Sequence, residues 1–400
     1  MPNHPKNESI HMLDGLFWAN DPHPHLTWMR KEAPVFWDEA SQLWGISKHE
    51  DVQNISKSPK IFGNSDGMRP DSPPLPSMIN MDDPEHRQRR ALVNKGFTPR
   101  RIANHEDKVR EICADLVDRA LVKVRNEGSC DFVMDVAAPL PMIMIGDMLG
   151  VEPEDRDMLL RWSDDMVTGT SFTAPPEVLE RAAISFAEFQ SFNEKTVADR
   201  RSKPEQDDLI SILVHGRLNG EGLDAEALLH ETLLILVGGD ETTRHVITGG
   251  MHQLLLHPEQ RALLADDPSK IPTAVEEMLR WVTPIKNMAR TATEDTVLRG
   301  ETIRKGEKVM LLYPSANRDE EVFDNPFDFD DTRKPNDHLD FGGYGAHFCL
   351  GASLARLEIR VMFEEVLRRA PQLNLVPDAE LPWRNSNFIT GIEHMPVELA

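Results

Sequence analysis

Long hydrophobic runs are missing from this chain. No stretch reaches the ~18 consecutive apolar residues that a membrane-crossing helix needs. Met1 to Lys6 holds two prolines and no apolar block, which argues against a secretory leader. Cysteine is scarce, with three residues at 113, 130 and 349, too few for a disulfide framework and in keeping with a reducing, cytoplasmic setting. Gly/Ser tethers, repeats and low-complexity blocks are absent. The 400 residues are therefore expected to form one compact domain over 1–400, with 1–20 a poorly ordered N-terminal segment. Basic charge is also short. With 44 Lys and Arg against 67 Asp and Glu, the net charge of −23 disfavours nucleic acid and anionic membranes as partners. The exception is Glu85 to Arg110, where basic residues outnumber acids; that island is either a docking patch or a solvated helix face.

Helical patterns dominate from about Glu106 to Trp281. The clearest runs from Ala225 to His257, with Asp224 as N-cap and Pro258 as terminator. Leu233 to Val237 is apolar at every position, so this helix is expected to lie inside the protein. A second helix follows Pro272 and a third follows Gly351, while the segments around Val297–Leu298 and Val309–Leu312 look like strands. The proline-stiffened stretch Gly67 to Met81 carries Met68, Leu75, Met78 and Ile79, and suits a folded loop covering something apolar. The outline is mainly α with a small β part.

Two segments carry chemistry. Phe341 to Gly351 (FGGYGAHFCLG) puts four glycines, a histidine and a cysteine immediately before a helix. Glycines let a backbone approach a flat ligand closely, and a helix start favours a thiolate at Cys349. The bland alternative is a buried structural cysteine in a glycine-rich turn. In Gly238-Gly-Asp-Glu-Thr-Thr243, two glycines lie mid-helix, each costing roughly 1 kcal/mol against alanine. Either they open a groove where an acid beside an alcohol relays protons, or they permit a close helix crossing while Glu241 pairs with Arg244.

Together these segments resemble the cytochrome P-450 superfamily. The cysteine loop matches FGxGxHxCxG from Gly343 to Gly351, with Gly342 in place of the phenylalanine and Phe341 one residue upstream; the central segment matches (A/G)Gx(D/E)T(T/S). The resemblance spans roughly residues 20 to 395. It implies a single domain with haem b between the long central helix and the cysteine loop. It implies Cys349 as axial iron ligand with Phe341 beside the sulfur, Thr242 as the oxygen-activating hydroxyl and Glu241 as its acid partner. Glu277 and Arg280 match the family's ExxR motif, with Arg333 as third member. His86, Arg90, Arg290 and His347 resemble haem-propionate ligands. Met68, Met78, Ile79, Val237, Gly238, Ile285, Met288, Phe388 and Ile389 fall where family members line the substrate pocket. Arg87, Arg89, Lys95, Arg356 and Arg360 fall on elements bordering the proximal haem face, where an acidic ferredoxin would be steered.

Stretches such as MDDPEH, AAPLPMIMIGDMLGV, EEMLRWVTPIKNMART and HLDFGGYGAHFCLG look like the bacterial steroid side-chain monooxygenases. That resemblance implies terminal hydroxylation of cholesterol or cholest-4-en-3-one by a monomer using dioxygen and NAD(P)H electrons through ferredoxin reductase and ferredoxin. Terpenoids or branched fatty chains are alternative substrates. A peroxide-driven haem peroxygenase and a haem-based sensor are alternative activities.

Overall fold

The computed structural model describes residues 4–169 and 174–399. Its longest helix, Ala225–Leu256, starts where Asp224 accepts the backbone N–H of Ala227 at 2.7 Å and stops before Pro258. This central helix packs against Pro139–Leu149, Arg156–Thr168, Ile271–Val282 and Ala352–Arg369, which cover most of its circumference. The last two come close because Gly250 has no side chain: a Cβ there would stand 2.8 Å from Met278 Sδ and 3.1 Å from Phe363. The helix that follows Pro272 in sequence spans Ile271–Val282, and the one after Gly351 spans Ala352–Arg369.

The β part is a five-stranded sheet ordered Val35–Asp38, Leu43–Ile46, Lys308–Leu312, Asn287–Ala292, Phe62–Gly63. Leu43–Ile46 runs parallel to Lys308–Leu312; the other pairings are antiparallel. A two-stranded hairpin, Thr296–Leu298 with Glu301–Ile303, turns at Arg299-Gly300. Of the segment 1–20 expected to be poorly ordered, residues 1–3 lie outside the described residues, and the part from Ile10 onward packs against the sheet. Ile10, Met12 and Trp18 are buried with Met310 and Leu312 beneath the sheet, and Trp18 Nε1 donates to Met12 O at 2.8 Å. The prolines and polar residues before Ile10 suggest a loose end, while the apolar residues from Ile10 to Ala19 follow neither a strand nor a long-helix period.

An ion cluster centred on the fully buried Glu277 and Arg280 ties the helix Ile271–Val282 to the stretch that follows the sheet. Glu277 takes two hydrogen bonds from Arg280 (2.7 Å each), one from Arg333 Nε (3.0 Å), one from Asn336 Nδ2 (3.0 Å) and one from Asp330 N (3.0 Å). Arg280 also reaches the carbonyls of Asn317 and Pro326, both at 2.9 Å, so the cluster fixes an irregular stretch that lacks secondary structure of its own. Breaking a buried pair from one side leaves charge uncompensated. Glu277→Leu should therefore lose about 3–5 kcal/mol in denaturant unfolding or fail to accumulate. Asp115→Asn, at the exposed pair Arg119–Asp115, should leave the unfolding midpoint unmoved.

Candidate active site

Cys349 sits at the end of a loop that hydrogen-bonds to itself. Gly342 N donates to Leu339 O, Cys349 N to Phe341 O (both 2.9 Å) and Phe348 N to Gly345 O (3.0 Å). The turn needs left-handed backbone at Gly342 and Gly343, with φ of 86° and 59°. Gly345 lies so close to Ser56 that a Cβ there would clash with its carbonyl oxygen. Phe341 is buried, with the Arg356 guanidinium 4.5 Å from its ring centre. The surface of Cys349 is open, yet protein surrounds the sulfur on all sides, because it faces an internal cavity rather than bulk solvent. Burial pushes its thiol up to about 11, outweighing the Gly351 N–H that hydrogen-bonds the sulfur. The helix start alone does not offset the cost of burying a charged sulfur; a metal cation bound there would favour the thiolate.

The cavity has a volume of ≈ 250 Å³ and a mainly apolar lining. Cys349, Leu350, Gly351, Phe341 and Phe348 form one wall. The central helix forms the opposite wall through Leu234, Val237, Gly238, Gly239, Thr242 and Thr243. Met68, Met78, Ile79, Ile285, Met288, Phe388 and Ile389 close the remainder, so every pocket residue read from the sequence lines this one space. The two mid-helix glycines differ. A Cβ on Gly239 would stand 2.7 Å from Ile145 Cδ1, whereas one on Gly238 would meet nothing within 4 Å. Thr242 Oγ1 donates back to Gly238 O at 3.2 Å, a bond that loosens the helix at this point.

Glu241 departs from the expected geometry. Its carboxylate is absent from the cavity wall and fully buried on the other side of the helix. Oε2 accepts from Arg244 at 2.6 Å and from Arg384 at 2.5 Å, and both guanidiniums also hold Asp164, at 3.0 and 2.7 Å. The Arg244 pairing is the geometry that the helix-crossing reading anticipated. Burial pushes the Glu241 carboxyl up, against the pull of the two arginines. Arg384 lies in an irregular segment 143 residues away, with no spacing to announce it.

Four basic side chains converge at the edge of the cavity. His86 and His347 stack with ring centres 3.9 Å apart, and Arg90 and Arg290 stand beside them. Burial, then the charges of His86, Arg290 and Arg90, push His347 down to about 2. Among the described residues neither arginine forms an ion pair; Arg90 donates to Phe348 O at 2.5 Å and Arg290 to Ala289 O at 2.7 Å. His86 Nε2 is buried with no partner. Buried cations without counter-ions are costly, so the edge suits anionic groups. A flat group with two carboxylates and a metal centre fits this donor set, with the metal against Cys349 and the carboxylates toward His86, Arg90, Arg290 and His347.

The basic patch is smaller than expected. Arg89 pairs with Glu231 (3.2 Å), Arg356 with Glu276 (2.7 Å), and Arg360 with Glu106 (2.9 Å) and Glu364 (2.8 Å). Of the five, only Arg87 and Lys95 are exposed without an ion pair among the described residues. Sequence reasoning also missed Asp340, a half-buried acid on the cavity wall whose carboxyl desolvation pushes up to about 7, and Glu358, buried on the same wall.

The family model for Cytochrome P450 matches residues 46–267 and 271–377. A steroid C26-monooxygenase of Mycobacterium tuberculosis is 50% identical over 97% of this chain and 96% of its own length. A methyl-branched lipid omega-hydroxylase of Mycobacterium bovis is 37% identical over 95% of this chain and 92% of its own. A crystal structure of a Bacillus megaterium enzyme in complex with testosterone superposes with a TM-score of 0.86 at 33% identity, covering 96% of this chain and 99% of that one.

The glycine pair yields a prediction. Gly238→Ala should stabilise the protein by about 0.5–1 kcal/mol in denaturant unfolding, since alanine is the better helix former and the space is open. Gly239→Ala, forced against Ile145, should destabilise it in the same assay.

Proposed function

Because the chain belongs to the cytochrome P450 family, a family of haem b monooxygenases, we propose that this enzyme hydroxylates the terminal methyl carbon of a steroid side chain, such as that of cholesterol or cholest-4-en-3-one. The observation that carries this reading is the full-length 50% identity to a steroid C26-monooxygenase. The cavity agrees with it, being lined mainly by Met, Ile, Leu, Val and Phe side chains and ending at Cys349. The overall reaction takes substrate C–H, dioxygen, two electrons and two protons to substrate C–OH and water.

When bound, the haem supplies the iron at which dioxygen is cleaved. The protein's own residues do the rest. Cys349 would hold the metal, and His86, Arg90, Arg290 and His347 would hold the propionates. Glu277, Arg280 and Arg333 act at a distance by keeping the polypeptide behind the cysteine loop in place. The terminal C–H bonds of a side chain are its strongest, so selectivity for that end requires orientation. Met78, Ile79, Val237, Ile285, Met288, Phe388 and Ile389 grip the substrate body, and Gly238 leaves room beside Thr242. The Thr242 hydroxyl is the proton donor inside the cavity. Glu241, pushed toward its protonated form by burial, replenishes it by turning from Arg244 and Arg384, while the partly exposed Asp164 connects the arginines to solvent. The electron donor is an acidic ferredoxin served by an NAD(P)H-dependent reductase, steered to the face bearing Arg87 and Lys95. A cytoplasmic monomer suits this reading, and no helix among the described residues is long and apolar enough to cross a membrane. A branched-lipid substrate is the second reading, supported by the omega-hydroxylase relative.

Cholest-4-en-3-one should give a type I spectral shift and a terminally hydroxylated product by mass spectrometry. No shift with this sterol and a large one with a monoterpene would remove the steroid assignment. Thr242→Ala should keep the shift but cut product formed per NADH consumed by about tenfold or more, as loss of a positioned proton donor does.

A further inference from the structure

The proline-rich segment 69–78 crosses the outside of the cavity as a strap. Residues 72–76 are exposed, while Met68, Met78 and Ile79 at its ends line the cavity. The first end is pinned by several interactions. Arg69 is bidentate with Asp71, at 3.0 Å to each oxygen, donates to Asn387 Oδ1 at 2.8 Å and lies 4.2 Å over the ring of Phe388. Asn387 Nδ2 returns to Asp71 at 2.8 Å, and Ala289 N donates to Met68 O at 2.7 Å.

The second end is held by two asparagines and by one buried carboxylate: Asn64 Nδ2 donates to Ile79 O and Asn80 Nδ2 to Leu75 O, both at 3.0 Å, and Met68 N donates to Asn80 Oδ1 at 2.8 Å. Glu231 Oε1, from the central helix, accepts the backbone N–H of Met78 at 2.7 Å and Arg89 Nη1 at 3.2 Å. Glu231 is fully buried, and its Oε2 has no partner. Such a carboxylate is expensive to keep, and burial pushes it up to about 7 against the opposing charge of Arg89. A leucine would fill the place more cheaply if packing were the only demand. Glu231 lies seven residues before Gly238, hence on the same face of the helix, and eleven before Thr242, about 16 Å along the axis. It therefore holds the strap at the end of the cavity remote from Thr242.

We propose that Glu231 is a positioning residue that latches the strap 69–78 over the substrate cavity, so that release of Met78 N from its carboxylate sets the rates at which substrate enters and leaves. The strap opens from the Met78 end first, because the Arg69 end has more ties to other segments: Asn387 twice, the Phe388 ring and Ala289 N, against Glu231 and Asn64 at the Met78 end. The inference rests on the cavity being the substrate's site, yet its first readout needs no substrate.

Hydrogen exchange on the substrate-free holoenzyme should show the amides of 77–80 exchanging about tenfold faster in Glu231→Leu than in the parent, with Glu231→Gln in between because it keeps an acceptor. Stopped-flow traces of the type I shift should show association and dissociation rates rising together in the same order, with an unchanged ferrous–carbonyl spectrum. Unchanged exchange at 77–80 in both variants would overturn the latch. Faster exchange with unchanged ligand rates would overturn its control of access. Should Glu231→Leu fail to fold, Glu231→Gln alone decides on the same two measurements. If steroids give no shift, a branched fatty acid that does serves as the probe, so failure of the substrate assignment is read separately from failure of the latch.

Discussion

The Glu277 carboxylate, buried without solvent access and surrounded by five N–H groups from four residues, is the constraint on which the rest of this structure depends. Between the strand Lys308–Leu312 and the helix Ala352–Arg369 the chain has almost no regular structure, so its backbone polar groups lack a ladder to satisfy them. Arg280 and Arg333 take up carbonyls from Asn317 to Asp328 while Glu277 neutralises both guanidiniums. That arrangement lets a coil serve as scaffold, and the cysteine loop extends directly from it.

The site built on this scaffold assembles groups that would be unfavourable alone. A buried cysteine sulfur, two arginines without ion pairs among the described residues and two stacked imidazoles line one cavity. Each needs a partner of opposite character, and a metal macrocycle with two carboxylates satisfies them together. Binding of the cofactor and stability of this half of the fold are therefore linked.

Much of this was legible in the sequence, for identifiable reasons. The central helix announced itself by a capped apolar run, and the cysteine loop by glycines whose backbone angles few other residues adopt. The cavity residues from Met68 to Ile389 were placed by resemblance, and they do line one space. What sequence could not convey was direction and partnership. Glu241 and Thr242 are neighbours in the chain, yet a helix turns successive side chains by about 100°, which puts one on the cavity wall and the other against Arg244. Arg384 and Glu231 act through contacts more than 140 residues distant in sequence, where no periodicity reports them. Charges counted along Glu85 to Arg110 overstated the basic face, because Arg89 turns inward to a carboxylate.

Gly238 and Gly239 are the same residue side by side, yet their freedom to vary is opposite. The second is fixed by Ile145 pressing on it, and any descendant of this gene must keep it or rebuild the neighbouring helix. The first is bounded only by the room that the guest molecule occupies. A lineage moving to a shorter or slimmer guest can let a methyl group grow at 238 without pressing on the protein around it, so the two neighbouring positions should diverge at very different rates.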